Sequence, residues 1–96
     1  VEEVEGALLS HPGIRDAVVV GVPDERWGSA VTAVVTLVDP DASPVDLEAA
    51  REHCRATLAG YKLPKHLVVV DQVRRSPAGK ADYRWARAVA EEGLSG

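Results

Sequence analysis

Residues 14–22 read Ile-Arg-Asp-Ala-Val-Val-Val-Gly-Val, and the β-branched run at their centre predicts a largely buried strand. Residues 30–38 predict a second strand, in which an odd-numbered apolar face alternates with an even-numbered face that also carries threonines. Residues 21–28 between them are rich in turn formers, so we expect a connection of moderate length. Together the two strands predict an antiparallel hairpin at the centre of the fold.

Helical patterns lie on both sides of this hairpin. Apolar residues recur at helical spacing in residues 1–8, and residues 10–13, Ser-His-Pro-Gly, indicate where that first helix stops. A second helix is predicted to begin with a Ser43 N-cap and Pro44 in its first turn, and to close at Gly60. Its predicted buried stripe consists of residues three or four positions apart, namely Leu47, Ala50, Cys54 and Leu58.

The remaining elements complete a small α+β domain. Residues 61–65 predict a short extended link, and residues 66–70 predict a third strand. Asp82 is the predicted cap of a last helix that ends at Gly93. The side chains that this helix is expected to bury are Trp85 and Val89. The order helix, strand, strand, helix, strand, helix predicts an α+β fold, a three-stranded sheet with an antiparallel hairpin flanked by about three helices.

Composition limits the classes of protein to which the chain can belong. Its 96 residues, 46% of them hydrophobic, form one domain over residues 1–96 with a modest core, and no long apolar run predicts a membrane span. Cys54 is the only cysteine, so an internal disulfide is impossible, which fits a cytoplasmic location. With no methionine and with Val1 as its first residue, the chain is expected to be a piece of a longer protein. Its richness in valine and alanine indicates a GC-rich bacterial genome.

Charge is distributed unevenly along the chain. The formal net charge is −4, yet residues 60–88 hold three lysines and four arginines against two aspartates, which leaves this segment at +5. A basic segment on an acidic domain suits the docking of an anion. Nucleic acid is a poor candidate partner, because the whole chain is acidic and the basic segment is short.

Residues 75–80, Arg-Ser-Pro-Ala-Gly-Lys, predict a tight turn with a single lysine at its exit. Gly79 can adopt backbone angles that are closed to other residues, so the chain can turn sharply just before Lys80. A lysine offered in this way is a mobile point charge on a long stem, suited to phosphate or carboxylate oxygens. On spacing alone, a solvated loop lysine is the more ordinary interpretation.

Over almost its whole length the chain resembles the small C-terminal domain of adenylate-forming enzymes, specifically of acyl-CoA ligases. Four family motifs occur in the right order: V-E-x-x-L-x-x-H-P-x-V at residues 4–14, A-A-V-V-G-x-P-D-x-x-x-G at 17–28, Y-K-x-P at 61–64 and P-R-T-x-x-G-K at 74–80, followed by a basic residue at Arg84. Two positions depart from the last motif, with Arg74 in place of proline and Ser76 in place of threonine.

The resemblance implies a two-step reaction in an enzyme with a large N-terminal adenylation domain, which is absent from this chain. A carboxylic acid and ATP, accompanied by magnesium, give an acyl-adenylate and pyrophosphate, and coenzyme A then forms the thioester. The resemblance makes Lys80 the catalytic lysine of the first step, carried by a positioning turn of Ser76, Pro77 and Gly79. It also makes three basic residues candidates for contacting coenzyme A, namely Lys62, Lys65 and Arg55. The isolated chain is expected to be inactive and to bind neither ATP nor coenzyme A tightly.

Two alternatives stay open at this point. The same motifs occur in the adenylation domain of nonribosomal peptide synthetases, which hand the acyl group to a carrier-protein arm. The basic segment 60–88 would also serve a non-catalytic module that docks an acidic partner protein. Trp27 and Trp85 are expected to be packing residues rather than platforms for a substrate.

Overall fold

A three-stranded sheet forms the centre of the computed structural model, which describes residues 2–24, 28–42 and 44–95. Strand β1 (Ile14–Asp24) pairs antiparallel with β2 (Gly28–Leu37), and β2 pairs in parallel with β3 (His66–Val69). The strand order is β1-β2-β3, so β1 is an edge strand. The hairpin prediction is therefore confirmed, but its connection is shorter than expected, because the strand pairing continues to Asp24 and Gly28.

Pro23 shows why the hairpin can extend into residues that look like a turn. The amides of Ala17 and Val19 donate to carboxylates and not to β2, so the odd-numbered amides of β1 point to the open edge of the sheet, and Pro23 occupies such a position. Proline has no N–H to donate, and an outward edge position is one that tolerates this loss. The predicted turn residue is thus a strand residue on the free edge.

Helices cover both faces of the sheet. Helix α1 (Glu2–Leu9) and helix α2 (Leu47–Cys54) lie on one face, and helix α3 (Tyr83–Ser95) lies on the other. The element order and the α+β class are as predicted. A single turn of 3-10 helix at Gly60–Lys62 occupies the place where an extended link was expected, so that prediction is wrong in detail.

Two apolar clusters, one on each face of the sheet, form the core. The first joins α1 and α2 to odd-numbered residues of the hairpin and includes Leu8, Val35 and Cys54. The second joins α3 to even-numbered residues and includes Val18 and Val34. A register irregularity between Ile14 and Asp16 places Ile14 in the first cluster although its number is even.

Helix α2 begins and ends at different residues from those predicted. Asp46 is its N-cap, and the Asp46 Oδ1 atom accepts a hydrogen bond of 2.8 Å from the Ala49 amide. Pro44 precedes the helix instead of opening it, and the predicted Ser43 cap lies outside the described residues. The helix ends at Cys54, so Leu58 packs on the core from the following turn and Gly60 begins the 3-10 helix.

Helix α3 keeps its predicted start but has a different buried stripe. The Asp82 carboxylate accepts a hydrogen bond of 3.0 Å from the Trp85 amide, which confirms the predicted cap. Ala86 and Ala90 are fully buried, while Trp85 and Val89 are half-buried. Because small alanines let the helix approach the sheet closely, the larger side chains lie at its margins. The helix also continues through Gly93, whose added Cβ would lie 3.3 Å from a methyl group of Val68.

Candidate functional site

The segment that carries Lys80 is a small hairpin of its own. Arg75 and Ala81 form an antiparallel bridge, the Ser76 amide donates to the Lys80 carbonyl at 2.8 Å, and the Gly79 amide donates to the Ser76 carbonyl at 2.8 Å. Gly79 has a φ of +84°, in the left-handed region that favours glycine. This is the pattern of hairpins with a three-residue loop, in which a glycine follows a tight turn. The predicted turn is therefore present at the predicted residues.

Lys80 leaves this turn exposed to solvent. Every residue from 74 to 80 is exposed. The Lys80 amide donates to the Ser76 hydroxyl at 3.3 Å, so its backbone is held while its side chain projects outward. In the ranges 2–24, 28–42 and 44–95, its ammonium has no ion-pair partner. The charge is thus available to a group outside this chain.

Arg75 ties the turn to the edge strand of the sheet. Its guanidinium binds the Asp16 carboxylate in a fork, with 3.1 Å from Nε to Oδ2 and 2.5 Å from Nη2 to Oδ1. Its third nitrogen, Nη1, donates to the Gly79 carbonyl at 3.2 Å. The hydrogen bond to Asp16 raises the pKa of Arg75 above its already high ordinary value.

Tyr83 makes a second tie three residues beyond Lys80. Its hydroxyl donates to the Glu5 carboxylate, at 3.0 Å from Oε2 and 3.3 Å from Oε1. The same carboxylate accepts a hydrogen bond of 2.8 Å from the Val19 amide on the free edge of β1. Glu5 therefore joins α1, β1 and α3 at one point.

An open cavity of about 760 Å³ lies beside the Arg75–Asp16 pair. Arg74, one of the two residues that depart from the family motif, lines this cavity, with its guanidinium carbon 5.8 Å from the centre of the Trp85 ring. This cation–π contact and the apolar cluster around α3 confirm Trp85 as a packing residue. Trp27 lies outside the described residues.

The three residues suggested for coenzyme A lie at the end of α2 and in the connection that follows it, where Arg55 caps α2, Lys62 ends the 3-10 helix and Lys65 directly precedes β3. Lys62 pairs with Glu3 of α1 at 2.5 Å and lowers the pKa of that carboxyl through their hydrogen bond, and Arg55 pairs with Glu52 of α2. The Lys65 amide donates to the Val31 carbonyl at 2.8 Å, which anchors the start of β3.

Arg51 brings these basic residues into one region. Its Nη1 atom donates to the Pro64 carbonyl at 2.6 Å, which joins α2 to the connection that carries Lys62 and Lys65. Arg55 follows Arg51 by one helical turn and so lies on the same side of α2. The sequence patterns gave Arg51 no role, because its partner is a backbone carbonyl 13 positions away.

Neither the cysteine nor the histidines assemble into a further reactive centre. Cys54 is fully buried in the first apolar cluster, and burial raises the pKa of its thiol, so it is a core residue as predicted. His11 and His53 meet edge to face, with ring centroids 4.9 Å apart. Among the residues with described positions, no group of three or more histidine, cysteine or acidic side chains is arranged to hold a metal. No described helix is long and apolar enough to span a membrane.

Comparison with known proteins identifies similar chains over nearly the whole length. Residues 3–80 match the family described as the AMP-binding enzyme C-terminal domain, and this match ends on Lys80. A 3-oxocholest-4-en-26-oate–CoA ligase from Rhodococcus rhodochrous is 55% identical over 86 residues, which make up 90% of this chain and 15% of that ligase.

Two solved structures are similar to this chain in fold and, at just over 30% identity, in sequence. A fatty acyl CoA synthetase from Mycobacterium tuberculosis superimposes with a TM-score of 0.82 at 31% identity, over 95% of this chain and 18% of that one. An o-succinylbenzoate CoA synthetase from Bacillus subtilis, solved with an acyl-adenylate intermediate, gives 0.79 at 32% identity, over 90% of this chain and 17% of that one. The chain thus spans less than a fifth of the length of these relatives.

Proposed function

The chain belongs to the family of AMP-binding enzyme C-terminal domains, and on that premise we propose that it is the small C-terminal domain of an ATP-dependent acyl-CoA ligase. Such an enzyme joins a carboxylic acid to coenzyme A and converts ATP to AMP and pyrophosphate. The observation that carries the proposal is the exposed Lys80 ammonium on a turn whose backbone is held by hydrogen bonds. The buried free thiol of Cys54 supports a reducing compartment such as the cytoplasm.

Lys80 serves the first step of this reaction. A carboxylate oxygen attacks the α-phosphorus of ATP, the bond from that phosphorus to the pyrophosphate oxygen breaks, and pyrophosphate leaves. Negative charge is crowded at the reacting atoms, and a fixed ammonium in a site shielded from water stabilises it. The ammonium also holds two mutually repelling anions in a reactive orientation. The turn of Ser76, Pro77 and Gly79 is the rigid arm that presents it.

For the second step we expect a different part of the domain to meet the reacting atoms. The thiol of coenzyme A attacks the acyl carbonyl, a thioester forms and AMP leaves. Lys62, Lys65 and Arg55, at the end of α2 and in the connection that follows it, are the candidates for contacting the phosphates of coenzyme A. A rotation of the whole domain between the two steps would exchange one part for the other.

The principal partner of this chain is the large N-terminal adenylation domain of the same protein, which supplies the nucleotide and acyl pockets. The magnesium ion that accompanies ATP finds no cluster of acidic side chains in the described part of this chain. The residues that hold this ion are therefore expected in the large N-terminal domain.

Two other functions predict different behaviour. A nonribosomal peptide synthetase would transfer the acyl group to a carrier-protein arm, and sequence beyond residue 96 would contain the carrier domain. In a non-catalytic docking module, replacing Lys80 by alanine would have no larger effect than replacing Lys62 or Lys65. The similarity to CoA ligases, at 55% identity for one of them, favours transfer to coenzyme A.

The decisive experiment separates the two half-reactions in the enzyme that contains this domain. Lys80→Ala should reduce adenylate formation by at least about 10²-fold, the usual scale for losing one preorganised electrostatic contact. It should largely spare thioester formation from a supplied acyl-adenylate, because another side of the domain acts in that step. The measurements are pyrophosphate release from carboxylate and ATP, and thioester yield from synthetic acyl-adenylate.

Two further variants serve as controls. Lys80→Arg should not restore adenylate formation, because a planar guanidinium does not replace a compact ammonium. Lys65→Ala should leave adenylate formation intact and should weaken the thioester step if Lys65 contacts coenzyme A. Equal losses of both half-reactions in Lys80→Ala would contradict the role given to Lys80 and would indicate general damage to the turn.

A further inference from the structure

The segment that carries Lys80 is fastened to the domain at both of its ends, and we propose that Asp16 and Glu5 are positioning residues for the adenylation reaction. Asp16 holds the segment through Arg75, before Lys80, and Glu5 holds it through Tyr83, after Lys80. The inference rests on the proposed function of Lys80 and adds the groups that fix the position of the turn carrying this lysine. Neither acidic residue touches the reacting atoms, so both act through the lysine.

Burial shows why the segment depends on these polar ties. Val73 is buried in the second apolar cluster, and the next fully buried residue along the chain is Ala86. Of the twelve residues between them, Ala81 and Trp85 are half-buried against this cluster, whereas residues 74–80 are all exposed, so apolar packing does not fix the turn itself. Hydrogen bonds to the rest of the domain must therefore determine where the turn stands.

The tie through Asp16 reaches the peptide next to the lysine. The Arg75 guanidinium uses two nitrogens on the Asp16 carboxylate and donates from the third to the Gly79 carbonyl. That carbonyl belongs to the peptide bond that joins Gly79 to Lys80. A rigid, planar guanidinium therefore links strand β1 directly to the backbone of the catalytic lysine.

The tie through Glu5 fixes the other end on the same edge strand. The Glu5 carboxylate accepts from the Val19 amide at 2.8 Å and from the Tyr83 hydroxyl at 3.0 Å, so its position is set by β1 as well as by α1. Asp16 and Val19 lie three residues apart on β1. Both ends of the segment are thus tied to one short stretch of strand β1, and the backbone of the turn between them moves with the sheet.

The first test uses variants that remove a tie with little change of shape. Asp16→Asn keeps an oxygen for the Ala17 amide, to which Asp16 Oδ1 is bonded at 2.9 Å, but loses the charge that holds Arg75. Tyr83→Phe loses only the hydroxyl. Each should lower kcat of adenylate formation by about tenfold, since small misplacements of a catalytic group are costly, with little change in KM for ATP. Thioester formation from supplied acyl-adenylate should be unaffected.

Three comparisons distinguish positioning from a general loss of stability. Asp16→Glu should recover part of the activity, because it restores the negative charge beside Arg75. Combining Asp16→Asn with Lys80→Ala should cost no more than Lys80→Ala alone, because the acidic residue acts only through the lysine. Arg87→Ala, which breaks an exposed ion pair of 3.6 Å with Glu91 on the same helix, should have no effect on either half-reaction.

A readout independent of activity is the rate of trypsin cleavage after Lys80. Asp16→Asn and Tyr83→Phe should accelerate this cleavage several-fold, because the freed segment opens more often, and Arg87→Ala should not. If both variants leave kcat and cleavage unchanged while Lys80→Ala abolishes adenylate formation, the positioning inference is wrong and the proposed function stands. If Lys80→Ala itself spares adenylate formation, the proposed function fails, and unchanged cleavage would then show that the ties do not hold the segment either.

Discussion

The His11 side chain is held as a neutral imidazole by its surroundings. Its Nδ1 atom accepts a hydrogen bond of 2.9 Å from the Gly13 amide in the turn between α1 and β1, so that nitrogen carries no proton. Burial lowers the pKa of His11 below its ordinary value of 6.5, and the neighbouring His53 lowers it further. Ser10 donates its hydroxyl proton to the Ala7 carbonyl, so His53 Nε2, at 2.7 Å, is a donor to that hydroxyl.

This arrangement predicts a fall in stability on mild acidification. Because the folded chain binds a proton on His11 less readily than the unfolded chain, the contribution of His11 is complete above pH 6.5 and is lost as the pH falls through its depressed pKa. Protonation at Nδ1 would also remove the acceptor for the Gly13 amide. Urea unfolding followed across this pH range is the measurement. His11→Asn, which keeps an acceptor but does not titrate, should flatten the pH dependence, and an unchanged slope would contradict the assignment.

Single residues differ widely in how far their positions and contacts could be predicted from the sequence. The sequence motif located Lys80 and the special conformation of Gly79, because both belong to a local pattern of six residues. Asp16 and Glu5 could not be found in this way. Their partners lie 59 and 78 positions further along the chain, and only the folded sheet brings these residues together.

At the scale of elements, two glycines in helices have opposite environments. Gly6 of α1 has open space around it, since a Cβ added there would meet no atom within 4 Å. A Cβ added to Gly93 of α3 would meet the two methyl groups of Val68 at 3.3 and 3.4 Å. The missing side chain of Gly93 therefore allows α3 to lie close to β3, whereas Gly6 only weakens its helix.

Alanine at these two positions should consequently act differently. Gly6→Ala should raise the free energy of unfolding by about 0.5–1 kcal/mol through helix propensity, and Gly93→Ala should gain less than this or nothing. Urea unfolding of both variants tests the expectation. In a Val68→Ala background, Gly93→Ala should recover its gain, because the crowding methyl groups are gone. Equal gains for Gly6→Ala and Gly93→Ala in the unmodified chain would mean that α3 is not closely packed there.

Most elements were predictable, and the errors have local physical causes. The alternating pattern of β2 and the β-branched run of β1 predicted the hairpin, helical spacing predicted α1, and the Asp82 cap predicted the start of α3. The start of α2 was misplaced because Ser43 and Pro44 resemble a helix start, whereas the Asp46 carboxylate caps the helix and leaves Val45 to be buried. The end of α2 was misplaced because Leu58 continues the helical spacing from a turn that is not helical.

At the scale of the whole molecule, both faces of the sheet are covered by apolar clusters formed within this chain. The Cα radius of gyration of 12.5 Å is close to the value of about 13 Å expected for a folded domain of this length. The residues of each cluster are buried by other residues of this chain, without a contribution from another domain. A domain of this kind can rotate as one body, as the proposed alternation between two half-reactions requires.

The 96-residue chain should therefore fold by itself as a monomer. Its ¹H–¹⁵N correlation spectrum should show well-dispersed amide signals, and its unfolding in urea should be a single cooperative transition. The same sample should bind ATP no more tightly than about millimolar, since exposed cations provide only screened contacts. Collapsed amide signals would show that the clusters need the large domain, and micromolar binding of ATP measured by calorimetry would mean that the domain is misassigned.

The outer edge of β1 has a consequence for how such a domain behaves in a crowded cell. A bare edge strand is a template onto which a strand of another chain can add, which is the usual first step of β-aggregation. Here the outward amides of Ala17 and Val19 are already bonded to the carboxylates of Asp16 and Glu5, and Pro23 has no amide proton to offer. Asp16 and Glu5, which we propose to position the turn of Lys80, thus also block the pairing of β1 with a strand of a second copy of the domain. Losing either residue should therefore favour self-association as well as slow adenylate formation.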